Sequence, residues 1–144
     1  MQTVRDADGR RCLLVKRSAE SSLVRDPETG GERYVDNATL TVIDGESPLT
    51  TAAAGVSGPV RRVLGAVHDD RTLGLLVTVV DDGPLSVLEL LDDADMCESD
   101  LHGRIAEFRA AGLVDEVDVD GRRGYAATAT ATDAVAFLRS GSTA

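Results

Sequence analysis

A chain of 144 residues with a net charge of −10 is long enough for one compact domain, or one small domain with an appendage, and no apolar run in it reaches the length that spans a bilayer. Of its 15 basic residues only Lys16 is a lysine, 25 residues are acidic and tryptophan is absent. So dense an acidic surface stays dissolved at molar salt, and the composition points either to a halophile's cytosol or to an ordinary acidic protein from a GC-rich genome. The N-terminus lacks the basic-then-apolar order of a signal peptide, so a cytoplasmic protein is expected.

From Arg10 to about Val35 the pattern is that of strands. The runs Arg11–Arg17 and Ser21–Arg25, then Glu32–Val35 behind the turn signal Asp26-Pro27-Glu28-Thr29-Gly30-Gly31, predict a three-stranded antiparallel meander. Leu40, Val42 and Ile43 read as a fourth short strand or a lead-in. Three strands are stable only when something covers their apolar face, so packing on the helical part is expected. Residues 1–44 are assigned to this β-meander and 45–58, rich in Gly, Ser, Thr, Pro and Ala, to a connector with a short helix at Leu49 to Ala54.

Ser57-Gly58-Pro59 opens a helix in which Val60, Val63, Leu64 and Val67 recur at helical spacing. Asp69-Asp70-Arg71-Thr72 caps another, which carries Leu73, Leu75, Leu76, Val79 and Val80 and ends at Asp82-Gly83-Pro84. By propensity alone Leu73 to Val80 is as good a strand, since Val77 to Val80 is β-branched throughout. Ser86 is an N-cap for a helix with Val87, Leu88, Leu90 and Leu91 as its apolar stripe. Cys97-Glu98-Ser99-Asp100 opens the next, with Leu101, Ile105 and Phe108 on one face and acidic residues where the helix dipole favours them. Gly112 stops it. Leu113 to Asp120 alternates, Asp120-Gly121-Arg122-Arg123-Gly124 signals a hairpin turn, and Tyr125 to Thr128 forms the returning strand. Thr132-Asp133 starts a last helix with Ala134, Val135, Phe137 and Leu138 as its apolar content, and the chain is expected to fray from Ser140 onward.

The stretch Arg71 to Leu138 resembles the winged helix-turn-helix domain of small prokaryotic transcriptional regulators of the ArsR and MarR kind. The resemblance rests on Leu101, Ile105 and Phe108 as core of a recognition helix, on Arg109-Ala110-Ala111-Gly112-Leu113-Val114 as the helix exit, and on Asp120-Gly121-Arg122-Arg123-Gly124-Tyr125 as the wing. It decides for helix at Leu73 to Val80. The chain as a whole also looks like an uncharacterised family of small halophilic-archaeal proteins, a likeness that carries no mechanism. The expected class is therefore α+β, an N-terminal antiparallel β-meander followed by a winged helix-turn-helix domain at residues 59–140.

The resemblance implies double-stranded DNA as the partner and transcriptional regulation as the function. On a helical wheel the side of the second helix opposite its core presents Ser99, Gly103, Ala106 and Ala110, with Asp100 and Glu107 on one flank and Arg104 beyond, and His102 and Arg109 on the other. Small residues let a helix sit deep in a groove, but equally let it pack on a protein helix. Arg122 and Arg123 are expected at the wing tip, which projects from the body and suits phosphate or a narrow minor groove, against the plain reading of a solvated, charged turn. Ser99, His102, Gly103, Arg104, Arg109, Arg122 and Arg123 are thus the candidate DNA contacts. The alternative is a winged-helix protein-protein interaction module without DNA binding.

Cys12 and Cys97 have no CxxC partner, and His68 and His102 have no spacing that builds a metal site with them, so two ordinary thiols and no metal are expected. The Asp pairs at 69–70, 81–82 and 92–93 lie at helix ends. With no glycine-rich phosphate loop after a strand and no recognisable Ser, His and Asp set, a non-enzyme without cofactor is expected, and no small-molecule ligand is identified. A homodimer through the helices at Val60 to Val67 and Thr132 to Leu138 would suit paired half-sites.

Overall fold

A computed structural model describes residues 1–141 of the chain. Of the tail expected to fray from Ser140 onward, Ser140 is the last residue of a helix, and 142–144 lie outside the residues described. The chain divides into two compact units, Met1–Gly58 and Pro59–Ala144. The class is α+β, with an antiparallel sheet in the first unit and helices dominating the second.

The first unit holds β1 (Gln2–Arg5), β2 (Arg11–Arg17), β3 (Ser21–Arg25), β4 (Glu32–Asp36) and β5 (Thr41–Val42). They form one antiparallel sheet in the order β4-β3-β2-β1-β5, so the expected three-stranded meander is the centre and one edge of five strands. β1 escapes sequence reading because four residues, QTVR, carry too little alternation to register. The lead-in at Leu40 to Ile43 contains β5, which pairs with β1 through Val4 and Val42. Gly30, at φ 73°, supplies the left-handed residue of the β3–β4 turn. Val4, Cys12, Leu14 and Val24 form a core of their own, with Val35, Leu40 and Val42 against it.

The short helix expected within residues 45–58 is α1 (Pro48–Ala53), capped by Ser47 with proline in its first turn, and it packs on β1 and β2. Its Thr51 hydroxyl lies 2.6 Å from that of Thr3, both buried. Gly55 follows it against the Pro27 carbonyl, where a Cβ would collide with backbone.

The second unit runs α2 (Gly58–Ala66), α3 (Asp70–Asp82), β6 (Leu85–Ser86), α4 (Val87–Ala94), α5 (Glu98–Ala110), β7 (Val114–Val119), β8 (Arg122–Ala127) and α6 (Ala129–Ser140). Residues 73–80 are helical despite their β-branched content. Asp69 caps α3 through the Thr72 amide, and Leu75, Leu76 and Val79 are buried at helical spacing. Ser86 and Glu89 form a complete capping box on α4. β6, β8 and β7 make a three-stranded antiparallel sheet in that order. Gly124 on β8 lies so close to the Leu85 carbonyl and the Val119 side chain that no Cβ fits there.

One core holds this unit together, with Leu76, Leu90, Leu101, Phe108 and Leu113 fully buried in it. Three details correct the sequence reading. Leu88, expected among the buried residues, is 54% exposed, because Val87, Leu90, Leu91 and Ala94 take the i, i+3, i+4, i+7 positions facing the core. Leu64 on α2 is likewise exposed while Val60 and Val63 are buried. The last helix begins at Ala129, one turn before Thr132, because the Thr128 hydroxyl accepts the Ala131 amide as its N-cap, and its Phe137 and Leu138 lie on the surface.

Candidate nucleic-acid interface

Helix α5 is held by its apolar face and by three polar ties. Leu101, Ile105 and Phe108 are each 2% exposed or less. Arg104 Nη1 reaches the hydroxyl of Thr72 and, at 3.4 Å, Asp69 Oδ1, so the first turn of α3 grips the middle of α5. Asp69 does two jobs. It caps α3 and meets Arg104, and its two bonds from Thr72, backbone then hydroxyl, followed by the Arg104 charge, hold its carboxyl below the ordinary value. Arg62 Nη1 donates to the carbonyl of Ala111 at the C-terminal end of α5, where the helix dipole favours a cation. Arg71 Nη2 donates to the carbonyl of Asp95, which sits in the left-handed region at φ 48° in the turn between α4 and α5.

The exposed side of α5 carries Ser99, Gly103, Ala106 and Ala110, and beyond its chain neighbours and the helix's own backbone no atom lies within 4 Å of where a Gly103 Cβ would stand. His102, on the flank, has Nε2 3.4 Å from Glu98 Oε1. Arg109 is exposed in the last turn. Arg104 departs from the set, since its side chain is directed into the α3–α5 junction and spent on Asp69 and Thr72. Its partners stand more than thirty residues away, and no local pattern announces them.

The hairpin turns at Asp120 and Gly121, both left-handed at φ 53° and 81°, and the Asp118 carboxylate accepts the Gly121 amide at 2.7 Å. Arg122 and Arg123, expected in the turn at the wing tip, are instead the first residues of β8, paired with Val119 and Asp118, because two left-handed residues suffice to reverse the chain. Arg122 faces Val119 across the ladder. Arg123 Nε lies 3.2 Å from Glu116 Oε1 on β7, which leaves Arg122 the freer of the two.

Electrostatically this unit is adverse to a polyanion at low salt. Residues 59–144 hold sixteen carboxylates and eight arginines, so −8 of the total −10 resides there. Arg62, Arg71, Arg104, Arg123 and Arg139 bind groups of the protein itself. Arg109 and Arg122 have no ion pair among the described residues.

Cys97 stands at the N-cap of α5 without accepting a cap hydrogen bond. Its exposed thiol lies 3.3 Å from the Ser99 hydroxyl, and that contact, followed by the Asp100 amide, pulls its pKa down. Cys12 belongs to the other unit, and burial pushes its thiol up. Among the described residues no group of three or more His, Cys, Asp or Glu side chains is placed to hold a metal ion, and no helix is long and apolar enough to cross a membrane.

Comparison with curated proteins and with solved structures gives no match. A family model does match, over residues 1–139, so both units are included and the chain belongs to a family of unknown function, DUF7346.

Proposed function

We propose that Pro59–Ala144 is a winged helix-turn-helix domain and that the protein is a DNA-binding transcriptional regulator, working without catalysis in a salt-rich cytoplasm. The observation that carries this reading is the order helix, strand, helix, helix, hairpin with sheet order β6-β8-β7, which leaves α5 with an unobstructed face of small residues. Such a face suits entry into a major groove, with the hairpin beside it on the backbone. Ser99, His102 and Arg109 are the polar groups next to that face, and Arg122 is the freer hairpin cation. At molar salt the Debye length falls to about 3 Å, so the negative charge of the unit repels DNA only at contact.

A homodimer fits the same reading. Leu64 on α2 and Phe137 on α6 are 63% and 62% exposed, apolar surface that a second copy would cover, and light scattering in molar KCl tests it. The second reading, a protein-interaction module, is favoured by Arg104 and Arg123 being paired within the protein. Selection of genomic DNA fragments in molar KCl separates the two. Retained specific fragments, with a salt slope whose magnitude falls by about 0.9 for each phosphate contact removed by Arg109→Ala or Arg122→Ala, support the regulator. No retention across the salt range leaves the interaction module as the better account.

A further inference from the structure

In the N-terminal unit the β1–β2 turn, the β3–β4 turn and the end of α1 surround a cleft of about 570 Å3, within the range of small-molecule sites. A buried carboxylate organises it. The Asp6 side chain is 4% exposed and accepts the Asp8 amide at 2.9 Å, the Arg10 amide at 3.0 Å and Arg33 Nη2 at 2.8 Å. A turn-capping aspartate needs only the two amides. Here a third donor comes from β4, beyond two intervening strands, and Asp6 uses one nitrogen of that guanidinium to fix it. The guanidinium also meets the Cys12 thiol, and the N–H groups of Arg33 left over, on a side chain 55% exposed, remain for the cleft it lines. Arg10 lines the same cleft as a second cation. The carboxylates of Asp8, Asp26 and Glu28 line the cleft too, with no ion pair among the described residues, and Asp26 spends Oδ1 on the Glu28 amide.

A simple anion in this cleft would meet the carboxylates, and a simple cation would meet the guanidiniums. A molecule bearing both charges a few ångströms apart satisfies both kinds of group. We propose that the cleft binds a small zwitterion, an amino acid or a dipeptide, with its carboxylate on Arg33 and Arg10 and its ammonium on Asp26 and Glu28. Pro27 and Ala54 line the cleft as well and offer apolar surface to a side chain. All these residues lie in Met1–Gly58, so the site stands whether or not the other unit binds DNA.

The test is a titration of the full chain, followed by NMR at the amides of Asp8, Arg10 and Glu28 and at Nε–H of Arg33. The probes are L-alanine, L-alanyl-L-alanine, and the half-ligands propionate and ethylamine. A zwitterion should saturate these shifts at least about tenfold more tightly than either half-ligand, the loss of one charge-assisted contact, and the tighter of alanine and dipeptide fixes the length of the ligand. Arg33→Gln should weaken binding about ten- to a hundredfold. Because that change also strips Asp6 of its partner, Glu28→Gln in the exposed turn serves as a second variant that leaves the sheet intact and should weaken the zwitterion but not propionate. No saturable shift, propionate binding as well as alanine, or undiminished binding by Glu28→Gln would overturn the proposal.

Discussion

Gly103 gives the sharpest separation between what stabilises α5 and what that helix does. The residue lies mid-helix and exposed, with nothing beyond its chain neighbours and the helix's own backbone within 4 Å of an added Cβ. Glycine there costs about 0.8–1.0 kcal/mol relative to alanine through backbone entropy alone, so Gly103→Ala should stabilise the unit by about that amount. For a unit of this size, such a gain raises the melting temperature by about 4–8 °C, well within reach of circular dichroism melts in molar KCl. Gly103→Leu should fold equally well, since the space is open, yet place a branched side chain on the face proposed to enter the groove. Specific DNA binding, followed by fluorescence anisotropy, should then be abolished while the melt is unharmed. A lowered melting temperature for Gly103→Ala would show that the face is already packed, most simply by a second copy. Normal DNA binding by a folded Gly103→Leu protein would refute the recognition-face reading.

Phe108→Ala, in a site with no exposure, should cost about 3–5 kcal/mol in chemical denaturation, whereas Leu88→Ala on the surface should change stability by less than about 0.5 kcal/mol; similar losses at both would mean that Leu88 is covered in solution. Iodoacetamide should label Cys97, exposed and with its thiol pKa pulled down, well before Cys12, which is buried and pushed up. Mass spectrometry of partly labelled protein finding Cys12 modified first would contradict the burial of β2. For Asp6, burial raises the carboxyl, but the Arg10 amide, Arg33 and the Asp8 amide outweigh it and hold it below its ordinary value. Its contribution to stability is thus complete above about pH 4, the unfolded value, and is lost as the pH falls through the lower folded value. An Asp6→Asn protein should decline less steeply with acid over that window, and identical acid slopes would show that the Arg10 and Asp8 amides and Arg33 do not together hold the Asp6 carboxylate in solution.

Local chemistry made much of this chain legible in advance. Ser86, Asp69 and Gly112 mark helix ends because a side chain or a left-handed residue there satisfies backbone groups of its own neighbourhood. The alternation of β7 and the presence of a turn after it are likewise properties of short windows, although the turn takes only Asp120 and Gly121 and the returning strand starts at Arg122, three residues earlier than expected. Tertiary structure decided what short windows leave open. Residues 73–80 are helical because Leu75, Leu76 and Val79 find a common core there, which outweighs β-branched propensity. β1 exists because β2 and β5 flank it, and its own four residues encode little. Leu88, Leu64 and Phe137 are as apolar as their buried neighbours, and only the placement of facing elements leaves them outside. The candidate site divides the same way. The small face of α5 was visible in its spacing, since a helix fixes which side chains share a side. The diversion of Arg104 to Asp69, of Arg123 to Glu116 and of Arg33 to Asp6 was not, because an ion pair is set by where separate elements meet, and nothing in either partner's local sequence records the other.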